Sequence, residues 1–199
     1  MADVSYLQKE ADRLMKIPGT QKGETIQSLA KYIEKHSGED GLSKIKQALI
    51  DLGYPIDFEA AHKMHEYPDA RNALVVLLCK ELLNYTDEDI FNMGYEMSKM
   101  SLIDQFFMKT FVSIDRMAKN APAYWKKHLS VGEIETYEFN KKEKYFILRL
   151  SNYAFHPVVC LSIAGYFLGL MHYVQPSATI KETKCIHRGD PYHEFKVSW

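Results

Sequence analysis

Residues 157–199, PVVCLSIAGYFLGLMHYVQPSATIKETKCIHRGDPYHEFKVSW, decide the fold class of this chain. Pro157 suits the first turn of a helix, and the apolar residues after it predict that the helix continues to about Tyr173. Two segments rich in alternating and β-branched residues follow, joined by the turn 188–191, Arg-Gly-Asp-Pro. This stretch therefore predicts one helix followed by a pair of antiparallel strands.

Two further strands are predicted directly upstream of this helix, at 131–139 and 144–150. Both are rich in aromatic and β-branched residues, and the polar turn 140–143 between them is typical of a hairpin. Earlier in the chain the apolar residues recur with helical spacing, and glycine or proline closes most segments. Helical spacing is found in 4–14, 25–36, 42–52, 69–84 and 102–119. The sequence therefore predicts an α+β fold, with a helical N-terminal part before an antiparallel sheet ordered strand–strand–helix–strand–strand.

Composition limits the classes of partner. The 199 residues include 25 basic and 26 acidic side chains, giving a net charge of −1, so nothing favours nucleic acid or an anionic membrane surface. Three cysteines are too few for a disulfide framework, and the first residues do not form a secretory signal. The longest apolar run, 157–174, is short and contains Ser162 and His172, so we expect no membrane span. These features favour a cytoplasmic protein.

A candidate metal site lies in the C-terminal segment. Cys185 and His193 are symmetric about Gly189, so a hairpin centred there would place them opposite each other, with Cβ atoms about 4.5–5.5 Å apart. One zinc ion can bridge that distance. Glu182 would share the site only if a bulge or a strand end separates it from Cys185, because residues three apart in a regular strand point to opposite faces.

Cys160 would join the same site only if the start of the predicted helix packs over the hairpin. Gly165 and Gly169, four residues apart on that helix, would permit a close helix–sheet approach. The alternative is that Cys160 is a small buried hydrophobic residue and that His193 is a surface residue of a strand. The spacing of the residues alone favours this alternative.

The C-terminal segment resembles the vinyl-reductase-type sensor domain, the 4-vinyl reductase family, which also supplies input domains of bacterial activators that sense aromatic effectors. The matching features are Cys160 with the glycine-spaced helix to Gly169, Glu182-x-x-Cys185, the turn Gly189-Asp190-Pro191-Tyr192, and Phe195. His193 stands where the family has a further cysteine. The resemblance implies a zinc held by Cys160, Glu182, Cys185 and His193. A site with four protein ligands is structural, since no position stays open for water.

The resemblance covers 157–199 specifically and about 70–199 loosely. It divides the chain into a helical N-terminal extension, 1–70, and a vinyl-reductase-like sensor domain, 71–199. The family implies a pocket for a small apolar or aromatic molecule. The candidate lining residues are Phe107, Phe111, Trp125, Tyr137 and Phe139. The competing interpretation is that these aromatic and methionine-rich stretches are ordinary core.

The fold of this family also resembles heme-based sensors of nitric oxide and oxygen, which hold heme propionates with a Tyr-x-Ser-x-Arg motif. Tyr145 and Arg149 have that spacing, but Ile147 replaces the serine. No histidine lies between Glu66 and Lys127, where an axial ligand would be sought. The sequence therefore argues against heme.

These observations favour a sensor-type binding module with a structural zinc, signalling through a partner or a homodimer. The alternatives are a tetrapyrrole-related reductase or its accessory protein, and a structural subunit that binds a lipid. Because no nucleotide-binding fingerprint and no catalytic acid–base pair is evident, enzymatic activity is disfavoured.

Overall fold

The computed structural model describes residues 3–100 and 113–199. Six α-helices lie in the described residues: α1 (Val4–Leu14), α2 (Gly23–Asp51), α3 (Asp69–Leu82), α4 (Asp87–Met100), α5 (Ile114–His128) and α6 (Pro157–Met171). The strands are β1 (Thr20–Lys22), β2 (Glu66–Pro68), β3 (Glu133–Asn140), β4 (Tyr145–Ser151), β5 (Thr179–Lys184) and β6 (His193–Ser198). The predicted α+β class is confirmed.

The main sheet is antiparallel, with the strand order β3-β4-β6-β5. Chain order from β3 onward is strand, strand, helix, strand, strand, as predicted. Alternation along β4 buries Phe146, Leu148 and Leu150 on one face, which packs toward α5 and α6. The small pair β1-β2 lies among the N-terminal helices, and Gln21 of β1 also forms a bridge with Leu129.

The two helical segments predicted around Gly38 are joined into the single element α2. Gly38 has φ 70° and ψ 179°, so the helix axis bends there without an intervening loop. Glycine accepts this left-handed φ without the steric penalty that a Cβ would cause. The glycine that indicated an end to the helix therefore marks a kink.

Helix α5 continues past the point where the sequence predicted its end. Residues 102–112 of the predicted helix 102–119 lie outside the described residues, but Pro122 is inside α5, which runs to His128. Proline has no amide hydrogen, so the Ala118 carbonyl one turn earlier lacks its usual helical donor. The Thr136 hydroxyl of β3 donates to that carbonyl instead (2.6 Å). A tertiary contact therefore replaces the lost helical hydrogen bond.

We expect Thr136→Val to lower the free energy of unfolding by about 1–3 kcal/mol, because the buried Ala118 carbonyl loses the donor that replaces the missing amide. In a Pro122→Ala background the new backbone amide can donate to the Ala118 carbonyl. Thr136→Val should then lower the free energy of unfolding by less than about 1 kcal/mol. Urea denaturation of the four proteins in this double-mutant cycle measures the difference. An equal cost in both backgrounds would contradict this account.

Glycines allow α6 to pack closely, but against a different neighbour from the one predicted. The sequence suggested that Gly165 and Gly169 permit a close helix–sheet approach. In the structure a Cβ on Gly165 would lie 1.9 Å from the Phe91 carbonyl oxygen, and one on Gly169 would lie 2.0 Å from Ser98 Oγ. Both contacts are with α4, so the close approach is between two helices.

The described residues share one hydrophobic core, which extends from Leu7 in α1 to Val197 in β6. The boundary predicted between residues 70 and 71 coincides with the start of α3 and stays a prediction. None of the described helices is both long and apolar enough to cross a lipid bilayer.

Candidate metal centre and ligand cavity

Four side chains from three elements meet at the start of α6. Cys160, Glu182, Cys185 and His193 each place one donor atom within 4.8 Å of the others. The two Sγ atoms are 3.7 Å apart, and Cys160 Sγ is 3.7 Å from His193 Nδ1. Two thiolates on one tetrahedral zinc lie about 3.8 Å apart, given Zn–S bonds of about 2.3 Å. The spacing of the two cysteines therefore matches zinc coordination.

The end of β5 brings Glu182 and Cys185 to one side. The register between β5 and β6 shifts between Glu182 and Lys184, and β5 ends at Lys184. The following turn contains Gly189 at φ 92°, and the Asp190 side chain accepts a hydrogen bond from the Cys185 amide (2.8 Å). A bulge, a strand end and a tight turn together orient the two side chains toward α6.

The groups around the cluster orient its ligands. His193 Nε2 lies 2.9 Å from the Tyr153 carbonyl oxygen. Because a carbonyl only accepts, Nε2 carries the hydrogen, and in the neutral ring Nδ1 presents its lone pair to the cluster. Arg188 Nη1 donates to the second carboxylate oxygen of Glu182 (2.9 Å). Partners of this kind fix the ring and carboxylate orientations at metal sites.

The electrostatics of the cluster favour a cation. Burial raises the pKa of the Cys160 thiol, and the nearby Glu182 carboxylate and Cys185 raise it further. Burial also opposes ionisation of Glu182, but contacts with His193 and Arg188 outweigh it and lower the pKa of that carboxyl. Glu182 Oε1 is 3.1 Å from His193 Nδ1. A carboxylate oxygen this close to a ring nitrogen requires a proton or a metal ion between them.

A separate apolar cavity of about 40 Å³ lies between α5, the sheet and α6. Its lining side chains are hydrophobic or aromatic: Met117, Ala118, Ala121, Tyr124, Trp125, Ile134, Phe146, Leu148, Phe167, Leu170 and Met171. At its edges, the Tyr124 hydroxyl hydrogen bonds with that of Tyr166 (2.9 Å), and Trp125 Nε1 donates to the Val131 carbonyl (2.9 Å). These bonds hold the two polar groups at the wall, so the interior is apolar.

Of the predicted pocket residues that the structure describes, one lines the apolar cavity and two do not. Trp125 lines the apolar cavity. Tyr137 is 55% exposed, and its ring covers the Arg149 guanidinium at 3.0 Å. Phe139 stacks on the ring of its cross-strand partner Phe146, but it is not among the residues that line the cavity. Phe107 and Phe111 lie outside the described residues.

Sequence reasoning missed the part of the lining that comes from the sheet and from α6. Phe146 and Leu148 alternate along β4, so their shared face was visible in the sequence. Phe167 and Met171 are four residues apart on α6 and lie on the same side of the helix. Which cavity those faces enclose depends on how α5 packs, which no local pattern shows.

The residues considered as a propionate clamp point away from the cavity. Tyr145 and Arg149 alternate with the inward-facing Phe146 and Leu148, so their side chains lie on the outer face of the sheet. Arg149 Nε donates to Glu194 (2.8 Å), and the Tyr145 hydroxyl donates to Glu138. Tyr145 and Arg149 therefore join neighbouring strands through side-chain pairs on the outer face of the sheet.

The architecture is that of H-NOX proteins. An H-NOX protein from S. oneidensis in the Fe(II)NO state aligns with a TM-score of 0.68 at 15% identity, covering 89% of this chain and 98% of that one. An Fe(II) unliganded H-NOX protein from K. algicida gives 0.63 at 11% identity, with 89% and 95% covered. A structure described as showing heme redox potential modulated by porphyrin distortion gives 0.62 at 10% identity, with 89% and 99% covered.

At these identities the likeness shows the fold, and the chain accordingly has the H-NOX fold. No protein-family model matches the sequence, and no curated protein matches it significantly. The resemblance to the vinyl-reductase-type sensor domain therefore stays a prediction carried by residues 160–195.

The prediction against heme is contradicted, because the structures that share this fold include proteins described with Fe(II) and heme. That prediction depended on one propionate motif and on the lack of a histidine between Glu66 and Lys127. Heme iron is also held by methionine, tyrosine or cysteine, so a missing histidine is insufficient evidence.

Proposed function

We propose that this chain is a sensor-type domain that binds one small apolar molecule in the cavity between α5, the sheet and α6. The observation that carries the proposal is this apolar cavity, enclosed by a long helix and a sheet in a protein with the H-NOX fold. Pockets of this kind bind ligands mainly through hydrophobic and aromatic walls.

Heme is the first candidate ligand. Among the described lining residues, Met117, Tyr124 and Met171 carry sulfur or phenol groups of the kinds that can ligate heme iron. Trp125 and Phe167 offer flat apolar surfaces to a macrocycle. When bound, heme would supply an iron centre that can take up a diatomic gas. The lining therefore offers side chains of the types that ligate heme iron and pack on its ring.

Uptake of a ligand this large requires α5 to move. The cavity has about 40 Å³ of free space, whereas pockets for drug-sized ligands are about 300–1,000 Å³. Side-chain hydrogen bonds tie α5 to its surroundings, among them those from Thr136 to Ala118, from Trp125 to Val131 and between Tyr124 and Tyr166. A ligand that binds better when α5 is displaced would shift the population toward that arrangement. A partner protein or a second copy of this chain would bind the protein when α5 is displaced. We propose a homodimer as the simplest such arrangement.

The Cys160, Glu182, Cys185 and His193 cluster would hold a structural zinc ion. Four protein ligands leave no open position for water, so the ion would stabilise the structure and would not take part in catalysis. It would link the start of α6 to the end of β5 and the start of β6. Because α6 forms one wall of the apolar cavity, the metal would also hold that wall in place.

Titration of the purified protein with hemin, protoporphyrin IX and a fluorescent fatty acid tests the proposed ligand class. We expect saturable binding of hemin at about one per chain, seen as a shifted Soret absorbance. Ala121→Phe places a ring in the cavity and should weaken binding at least about tenfold, since the ligand and the ring compete for the same space.

Ala123→Phe is the matched control, because Ala123 is on the same helix but exposed, and this variant should bind as wild type does. If only the fatty acid binds, the ligand is an acyl chain and not heme, and the lipid-binding alternative is favoured. Binding of protoporphyrin without hemin would favour the tetrapyrrole-related accessory function. If none of the three binds saturably, the proposed function is wrong.

A further inference from the structure

A second cavity, of about 90 Å³, lies on the opposite side of Trp125 from the apolar one, among the N-terminal helices. Its walls come from the first turns of α2, from α3, α4, the end of α5, and α6. The lining residues used below are Gln21, Lys22, Asn72, Trp125, Tyr153 and Ile163. It differs from the first cavity in having several polar side chains in its wall.

Two of these side chains present buried polar atoms without a partner among the described residues. Gln21 is 3% exposed, and its Nε2 donates no hydrogen bond within 3–100 and 113–199. Asn72 Oδ1 is equally inaccessible and accepts none there. Leaving a buried polar group unsatisfied is costly, so a group without a protein partner is normally bonded to water or to a ligand.

The charged side chains in the cavity wall are Lys22 and the buried Glu24. Lys22 Nζ is paired with Glu66 at 3.0 Å, so its charge is already compensated. Behind Asn72, the fully buried Asp69 accepts a hydrogen bond from the Tyr153 hydroxyl (2.8 Å), and burial raises the pKa of Asp69 to about 6. An anionic ligand would therefore find no uncompensated cation among these groups, and an unpaired buried charge is costly.

We infer that this second cavity binds a small neutral molecule with a primary amide at one end and an apolar body at the other. The amide oxygen would accept from Gln21 Nε2, and the amide nitrogen would donate to Asn72 Oδ1. In the orientations of the structure Gln21 offers a donor and Asn72 an acceptor, and the Asn72 side chain is held by a hydrogen bond to Asp69. A primary amide, which has both an acceptor and a donor, complements this pair. Trp125 and Ile163 would cover its apolar body.

The size of the cavity agrees with a ligand of this class. A single water needs about 10–15 Å³ of such space, so about 90 Å³ accommodates a molecule of several heavy atoms without rearrangement of the walls. The inference goes beyond the proposed function, because it concerns a different cavity and a polar ligand. Trp125 lines both cavities, so a molecule bound in either cavity would contact a residue that also lines the other cavity.

Benzamide is a suitable probe, with toluene and benzoate as the apolar and charged controls. Calorimetry on the full chain should show saturable benzamide binding at about one per chain, at least about tenfold tighter than either control. Gln21→Leu and Asn72→Leu replace the polar atoms by methyl groups of similar volume. Each should weaken benzamide binding at least about tenfold. Gln21→Leu should leave the stability of the protein unchanged, since it removes an unsatisfied buried group. Asn72→Leu also removes the hydrogen bond between Asn72 and the buried Asp69, so it should lower the stability as well.

Gln47→Leu, at an exposed position of α2, is the matched control and should bind benzamide as wild type does. Ala121→Phe, which fills the apolar cavity, should also retain benzamide binding, so failure of the proposed function and failure of this inference are distinguishable. The inference is overturned if benzamide does not bind saturably, if both leucine variants bind unchanged, or if only Ala121→Phe abolishes binding.

Discussion

Purified protein should contain about one zinc ion per chain, and Cys185→Ser or Cys160→Ser should remove it. The donor atoms already lie at separations that match tetrahedral coordination, so binding needs little rearrangement. The Tyr153 carbonyl selects the ring tautomer that presents His193 Nδ1 to the ion. Metal analysis of the intact protein by mass spectrometry measures the zinc content.

Loss of the metal should also destabilise the protein strongly. A ligand present at 1,000 times its Kd stabilises the folded state by about 4 kcal/mol, and for a chain of this size each kcal/mol shifts Tm by about 2–4 °C. We therefore expect a chelator, or either cysteine substitution, to lower Tm by about 10 °C. The cluster joins α6 to β5 and β6, so its loss should loosen the contact between these elements.

Cys79→Ala is the control for the cysteine substitutions. Cys79 is buried in α3, away from the cluster, so this variant should lose some packing energy but keep its zinc. His193→Cys should also keep zinc, because a thiolate can replace the imidazole in a structural site. A folded, metal-free wild-type protein whose Tm does not respond to a chelator would show that the cluster holds no metal.

Gly165→Ala should lower the free energy of unfolding by about 3 kcal/mol or more. The new Cβ would lie 1.9 Å from the Phe91 carbonyl oxygen and 3.0 Å from the Tyr95 amide nitrogen. Both neighbours are backbone atoms of α4, so no side chain can rotate to relieve the clash. The two helices must separate along their length, which costs more than the usual 1–3 kcal/mol or so of an overpacked side chain.

Gly53→Ala is the matched control, because a Cβ at Gly53 meets nothing within 4 Å and only its φ of 81° opposes the substitution. Because alanine is disfavoured in that left-handed conformation, Gly53→Ala should lower the free energy of unfolding by about 1–2 kcal/mol. Urea denaturation of both variants separates the two causes. Equal losses at the two positions would show that the α4–α6 contact is not as close as the structure has it.

Local sequence patterns were sufficient for the elements from β3 onward. The alternation of Phe146, Leu148 and Leu150 predicted a strand with one buried face, and Pro157 predicted a helix start. The turn containing Gly189 predicted the return of the last strand. Each of these features depends on neighbours within about ten residues, which is why a single sequence shows it.

Local patterns were misleading where a distant contact changes a local preference. Pro122 indicated the end of a helix, yet Thr136 supplies the donor that lets α5 continue. Gly165 indicated close packing correctly, but its partner is α4 and not the sheet. The prediction against heme was wrong for a related reason, since it took an altered propionate motif and a missing histidine in one stretch as evidence about a whole fold.

The sequence by itself determined the α+β class and the chain order of the sheet strands and helix, because these follow from short-range periodicity. The four candidate metal ligands came from the family resemblance, since their spacing alone favoured the alternative without a metal. Only the tertiary structure decided that Cys160 reaches the other three ligands, since that depends on where α6 packs. The two cavities are likewise tertiary features. Each is space left between helices that are distant in the chain, and its shape follows from the packing of all its walls at once.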